Sequence, residues 1–294
     1  MANNFLKTLL LAGIAFLILS KKSFAQKNLT KAELNKPKVG QVKFFPDLLQ
    51  PAFSTTKRGI WVYTPPDYDV ASAKEYPVIY MHDGQNLFDA KTSYAGEWGI
   101  DEVMDSLINE GIAPSIVVGI NNSVERIREY KPYDSDKYGE SLADEYLQFI
   151  AKDLKPFIDS VYKTKSDALN TIIAGSSMGG LVSYYAALKY PNVYGKAGFF
   201  STSFWIEPGL IDMLPVSKLS TSNKYFFYMG KLEGEENVRL NETYADKMAL
   251  LGNAVIYATT SAEGEHNEKS WAKIFPLFYK WIMASGANVI LPKE

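Results

Sequence analysis

Residues 171–180 read Thr171-Ile172-Ile173-Ala174-Gly175-Ser176-Ser177-Met178-Gly179-Gly180. The stretch opens as a short apolar run, the pattern of a strand buried on both faces. It continues as G-x-S-x-G over 175–179, the tight strand-to-helix elbow that lifts a nucleophilic serine clear of a sheet edge. Glycines suit such a turn because it leaves no room for side chains near the serine and pushes the backbone toward angles that glycine tolerates. Downstream, Leu181, Tyr184, Tyr185 and Leu188 fall at helical spacing on one apolar stripe, and Pro191 ends the helix that Met178 begins. Strand, elbow and helix form the context in which the motif presents a nucleophile. A glycine-rich turn that only packs a helix on a sheet is the alternative.

Working outward, strand-like runs occupy 41–45, 59–63, 76–81, 115–120, 171–174, 197–200, 225–229 and 254–258. Helix-like segments occupy 99–110, 141–161, 178–190, 241–251 and 266–284. Strands alternating with helices predict an α/β fold: a mostly parallel central sheet with helices on both faces. The first strands have no helices between them, so that end of the sheet is expected to be antiparallel. In such a sheet the active site lies at the carboxyl ends of the strands.

The chain has 294 residues, 47% hydrophobic and 22% charged, which suits one large domain over 41–294. A net charge of −2 leaves no basic footprint for nucleic acid. There is no cysteine, which excludes disulfides, thiolate catalysis and cysteine–zinc sites. Lys7, the apolar run 9–19 and Ser23-Phe24-Ala25 read as a signal peptide over 1–25 with a small-x-small cleavage site. An uncleaved anchor is the alternative, and the apolar run is short for a span. Residues 26–40 read as a flexible leader. A bacterial protein that is periplasmic or secreted is expected, with no stable membrane insertion after cleavage.

A serine hydroxyl needs a base to take its proton. The chain has two histidines, His82 and His266. Where an elbow serine is the nucleophile, the chain order is serine, acid, histidine, which selects His266, in a loop after the last strand. The acid belongs in the loop after the penultimate strand, where Glu233, Glu235 and Glu236 compete; Glu233 is nearest the strand end. The oxyanion needs two backbone N–H donors. Met178, after the nucleophile, supplies one, and Gln85, in the loop that follows the strand 76–81, supplies the other. His82 and Asp83 are expected to brace that loop. No metal is expected from them, since no further histidine is available, and no cofactor is implied. Arg126, Arg128, Glu129 and Tyr130 follow another strand and are expected at the same edge as substrate contacts. Phe204 and Trp205 are expected to wall an acyl or sugar pocket. The segment 207–223 is too short for a large lid.

Together these residues resemble the putative esterase family of α/β-hydrolases. That family includes feruloyl and acetyl xylan esterases (carbohydrate esterase family 1), enterobactin-type siderophore esterases, S-formylglutathione hydrolases and mycolyltransferases. The resemblance spans about residues 40–285. It is carried by Ile60-Trp61-Val62-Tyr63-Thr64-Pro65-Pro66-Asp67-Tyr68, by the stretch from Tyr76 to Asp89 that contains His82-Asp83-Gly84-Gln85-Asn86, by Trp98-Gly99-Ile100-Asp101, by the elbow and by Gly264-Glu265-His266. It implies catalytic roles for Ser177 and His266, an acid matching Glu233 in its Gly-x-x-Glu setting, and oxyanion donors at Gln85 and Met178. The function it implies is an exported serine carboxylesterase acting on acyl or feruloyl esters of polysaccharides or oligosaccharides. A siderophore esterase is the second reading. A non-catalytic hydrolase fold that binds a carbohydrate or a partner is the rival from another class.

Overall fold

The computed structural model describes residues 38–216, 219–252 and 254–284; the expected signal peptide lies outside them. Strands β1 (Gln41–Leu49), β2 (Arg58–Thr64), β3 (Val78–His82), β4 (Ile116–Ile120), β5 (Thr171–Ser176), β6 (Lys196–Phe200), β7 (Lys224–Gly230) and β8 (Val255–Ser261) form one sheet in the order β1-β2-β4-β3-β5-β6-β7-β8. The β1–β2 and β2–β4 pairings are antiparallel, and every pairing from β4 to β8 is parallel. This is the α/β-hydrolase fold, with the antiparallel end where helix-free connections placed it. Strands β3, β4 and β5 are buried along their whole length. They read as unbroken apolar runs because a parallel strand covered on both faces has no solvent side.

Helices α1 (Ile100–Asn109), α2 (Arg126–Tyr130), α3 (Ala143–Phe149), α4 (Lys155–Val161), α5 (Met178–Lys189), α6 (Glu235–Gly252) and α7 (Glu268–Met283) cover the sheet. Met104 and Leu107 of α1 pack with Trp271, Phe275 and Phe278 of α7 on one face. The other face receives Tyr146, Ile158, Leu181, Tyr184 and Tyr244 from α3 to α6. Two of the expected helices need correcting. The helix expected over 141–161 is interrupted by a π turn at Ile150–Leu154. Pro156, at the start of α4, has no N–H to give to the turn before it, and the helix widens where that bond is missing. The helix expected over 241–251 begins six residues earlier, at Glu235, which bears directly on the choice of acid.

The chain leaves β3 toward β4 and returns to the opposite side of β3 as β5. Loops after β3 and β5 therefore meet at a switch point, where α/β sheets open a crevice at their carboxyl ends. The loops after β6, β7 and β8 line up along the same edge. The only cap-like feature described is short, a pair of 3-10 turns at Phe204–Ile206 and Pro208–Val216.

Candidate active site

Ser177 sits between β5 and α5 at φ 56° and ψ −121°, in the left-handed half of backbone space that a side chain enters only under constraint. Its N–H donates to the Phe200 carbonyl (2.9 Å), and its own carbonyl accepts from Ser203 N–H (3.2 Å). The elbow glycines meet the expectation of a turn with no room for side chains, but not that of strained angles. None has positive φ; the strained residue is the serine itself. The glycines permit close approach instead. A Cβ on Gly175 would lie 2.8 Å from the Gly179 backbone, and one on Gly179 would press on His82 and Asp83 of the neighbouring loop.

The structure brings Ser177, His266 and Glu233 into one chain of hydrogen bonds. Ser177 Oγ lies 2.9 Å from His266 Nε2, and His266 Nδ1 lies 2.6 Å from Glu233 Oε2. With Glu233 ionised, Nδ1 carries the proton and Nε2 accepts from the serine hydroxyl. Glu233's other oxygen accepts from Ser201 Oγ (2.5 Å) and from the Gly230 N–H (2.9 Å). Ser201 Oγ in turn accepts from Trp271 Nε1 (2.8 Å). The carboxylate is thus fully satisfied, and its side chain is 2% exposed.

Why Glu233 occupies this place is visible in the turn around it. Glu233 ends a single 3-10 turn, Lys231–Glu233. Gly234 follows at φ 101°, a conformation suited to glycine, and α6 starts at once. Glu235 and Glu236 fall in the exposed first turn of that helix, where carboxylates complement the helix dipole. The β7 and β8 ends are pressed together: a Cβ on Gly230 would lie 2.3 Å from the Gly264 carbonyl. That contact carries the Glu233 and His266 loops to one point.

On the other side of Ser177, Gly84–Asn86 forms a 3-10 turn after β3. The N–H groups of Gln85 and Met178 lie at helix beginnings, where no intrahelical acceptor exists. The loop is held by charge. Asp83, itself at φ 56°, accepts from Arg126 Nε (2.7 Å), Arg126 Nη2 (2.8 Å) and Asn122 Nδ2 (2.6 Å). The Gln85 side chain accepts from the Asn122 N–H (3.2 Å). Asn86 Nδ2 donates to Glu268 Oε1 (3.2 Å), which links this loop to the start of α7 beside His266. Burial raises the Glu268 carboxyl above its ordinary range. His82 is buried, with Nδ1 2.8 Å from Tyr146 Oη, and burial pushes its pKa down to about 3.

Of the expected substrate contacts, Trp205 is the one standing open at the site. It is 46% exposed, with its ring 6.1 Å from that of His266. Phe204 is corrected: it is fully buried and stacks on Tyr244 (3.7 Å), because the apolar cap turn needs a core anchor. Tyr130 is corrected as well: it is fully buried against His82 and Tyr146. Glu129, next to it, is locked in a buried pair with Arg58 (2.6 Å). Arg128 holds Glu125 and the Glu140 carbonyl. Arg126 is engaged by Asp83. Ser201, Ser203, Asn122, Trp271 and Glu268 were missed. The hydroxyl run Ser201-Thr202-Ser203 directly after an apolar strand was the available signal. Among the described residues, no group of three His, Cys, Asp or Glu is placed to hold a metal.

The comparisons agree with this architecture. The family model described as putative esterase matches residues 53–276. A xylanase/feruloyl esterase of Xylanibacter ruminicola is 30% identical over 158 residues, 51% of this chain and 20% of that longer protein. The iron(III) enterobactin esterase of Escherichia coli K12 is 25% identical over 221 residues, 73% of this chain and 50% of that protein. The crystal structure of an IroE-like serine hydrolase from Shewanella oneidensis superposes with a TM-score of 0.65 at 23% identity, covering 83% of this chain and 80% of that one. The matched span takes in the elbow, both candidate oxyanion donors, Glu233 and His266, and on it the chain belongs to the putative esterase family and is a carboxylic ester hydrolase of the α/β-hydrolase fold.

Proposed function

We propose that this protein is an exported serine esterase that cleaves acyl or feruloyl esters of polysaccharides or oligosaccharides through Ser177, His266 and Glu233. The observation that carries the reading is the unbroken Ser177–His266–Glu233 hydrogen-bond chain at the end of β5, with a carboxylate that no Lys or Arg among the described residues pairs with. Ser177 Oγ attacks the ester carbonyl and His266 Nε2 takes its proton. The imidazolium is stabilised by Glu233. The Met178 and Gln85 N–H groups face the oxyanion that develops. The tetrahedral intermediate collapses as His266 returns the proton to the departing alcohol oxygen. Water then gives a proton to His266 and attacks the acyl-enzyme; the second tetrahedral intermediate collapses as His266 passes that proton to Ser177 Oγ, releasing the carboxylic acid and the free serine.

The saccharide preference is supported by the likeness to a protein named for both xylanase and feruloyl esterase activity, by the exposed Trp205 beside His266 and by the exposed Tyr94, whose hydroxyl accepts from Asn122 Nδ2, since aromatic rings offer amphipathic faces to planar or sugar ligands. Export rests on Lys7, the apolar run 9–19 and Ser23-Phe24-Ala25.

The test compares residues 26–294 with the Ser177→Ala variant on p-nitrophenyl acetate, methyl ferulate, acetylated xylan and a catecholate trilactone. Turnover of a feruloyl or saccharide ester, lost in the variant, is expected. Turnover confined to the trilactone would move the protein to siderophore release. Folded protein that is silent on all four esters and fails to label stoichiometrically with a fluorophosphonate would be a binding module instead.

A further inference from the structure

We propose that Trp205 reads the alcohol half of the ester, and that the alcohol it fits is a sugar; this rests on the esterase reading above. Chemistry fixes where that half must lie. The departing oxygen has to receive its proton from His266 Nε2, so the alcohol leaves along the imidazole edge that faces Ser177 Oγ at 2.9 Å. Two indoles flank that imidazole. Trp271, 5.2 Å away, is 4% exposed and donates to Ser201, on the side of Glu233. Trp205 has its ring 6.1 Å from the imidazole, is 46% exposed, and follows Ser203, whose Oγ is 3.1 Å from Ser177 Oγ. Its neighbour Phe204 is buried as the anchor of the turn, so the fold does not need Trp205 for its core. Trp205 leaves a large apolar face half in water within reach of the imidazole. Its Nε1–H has no protein acceptor among the described residues. An open ring face with a free donor at its rim matches a sugar, which offers an apolar C–H face edged by hydroxyls.

Trp205 could instead simply brace His266. The two roles separate kinetically, because His266 acts in both acylation and deacylation, whereas the alcohol has left before deacylation begins. The experiment uses methyl ferulate and a feruloylated arabinose, which give the same acyl-enzyme, with wild type, Trp205→Ala and Trp205→Phe. Pre-steady-state kinetics supply the deacylation constant, and circular dichroism checks folding. Trp205→Ala is expected to lower kcat/KM for the sugar ester about 10- to 100-fold, in the range of losing one well-packed pocket contact, against under about threefold for the methyl ester. The deacylation constant should be common to both esters and stay near the wild-type value. Trp205→Phe should recover part of the loss. Equal losses on both esters with slowed deacylation would show bracing and overturn the proposal, as would no loss on either. Wild type that cleaves neither ester yet still labels with a fluorophosphonate overturns the sugar assignment while leaving the serine mechanism standing.

Discussion

On the β3–β4 side of Ser177 the loop that carries Gln85, the proposed oxyanion donor, is held by ion pairs: Asp83 with Arg126, together with the buried Arg58–Glu129 pair. On the β6–β8 side the carboxylate of Glu233 is held by neutral donors, Ser201 Oγ and the Gly230 N–H. The difference follows from what each side has to do. A backbone N–H only needs to stay still, so each charge used to immobilise its loop is matched by an opposite one. In the proposed mechanism Glu233 has to meet a proton arriving on His266. A cation already paired with it would spend that negative charge, whereas neutral hydrogen bonds orient the carboxylate and leave it available.

The contrast between the two sides is expected to be sharpest at Glu233. Glu233→Gln keeps the shape and removes the charge, and kcat is expected to fall about 10²- to 10⁴-fold. Glu235→Gln and Glu236→Gln should stay within about twofold, as exposed surface changes do. A strong loss in either of those, with Glu233→Gln active, would move the acid into α6. On the charged side the largest effect is on stability. Arg58→Met leaves Glu129 buried without its partner and should cost about 3–5 kcal/mol in urea unfolding; a change under about 1 kcal/mol would mean the pair is not buried in solution.

Arg126→Met should loosen Asp83 and with it the Gln85 N–H. We expect kcat to drop about 10²-fold with KM little changed, the signature of a misplaced transition-state donor. A rise in KM alone would make Arg126 a substrate contact instead. The remaining effect shows only as acid is added and concerns His82, whose folded pKa near 3 reflects burial, opposed by Asp83 and reinforced by Arg126. Unfolded chains take up this proton below about pH 6.5 and folded ones only near pH 3. Stability is therefore whole above pH 6.5 and declines toward pH 3, by about 1.4 kcal/mol per unit. His82→Gln should flatten that part of the pH–stability curve; an unchanged slope would show that other groups set it.

The central strands and the elbow were legible because their signals are local. Ile172-Ile173-Ala174 must be buried wherever it goes, and G-x-S-x-G encodes its own turn. The error at 141–161 was also local in origin, since Pro156 was there to be weighed. Tyr130 and Phe204 were misplaced for another reason. A strand end supplies both outward and inward residues within a few positions, and spacing alone does not say which is which. Arg126 was placed at the correct edge, yet its partner lies 43 positions away.

The class of fold and the turn of the elbow were legible in the sequence, because each depends on residue type, order and neighbours a few positions apart; His266 was preferred to His82 on chain order alone. The folded chain brings Glu233, rather than Glu235 or Glu236, to His266, through the reversal at Gly234 and the contact of Gly230 with Gly264. It also decided which aromatic at the cap faces water. Those outcomes depend on backbone segments tens of residues apart meeting at van der Waals distance, which close packing enforces and no short stretch of sequence can express.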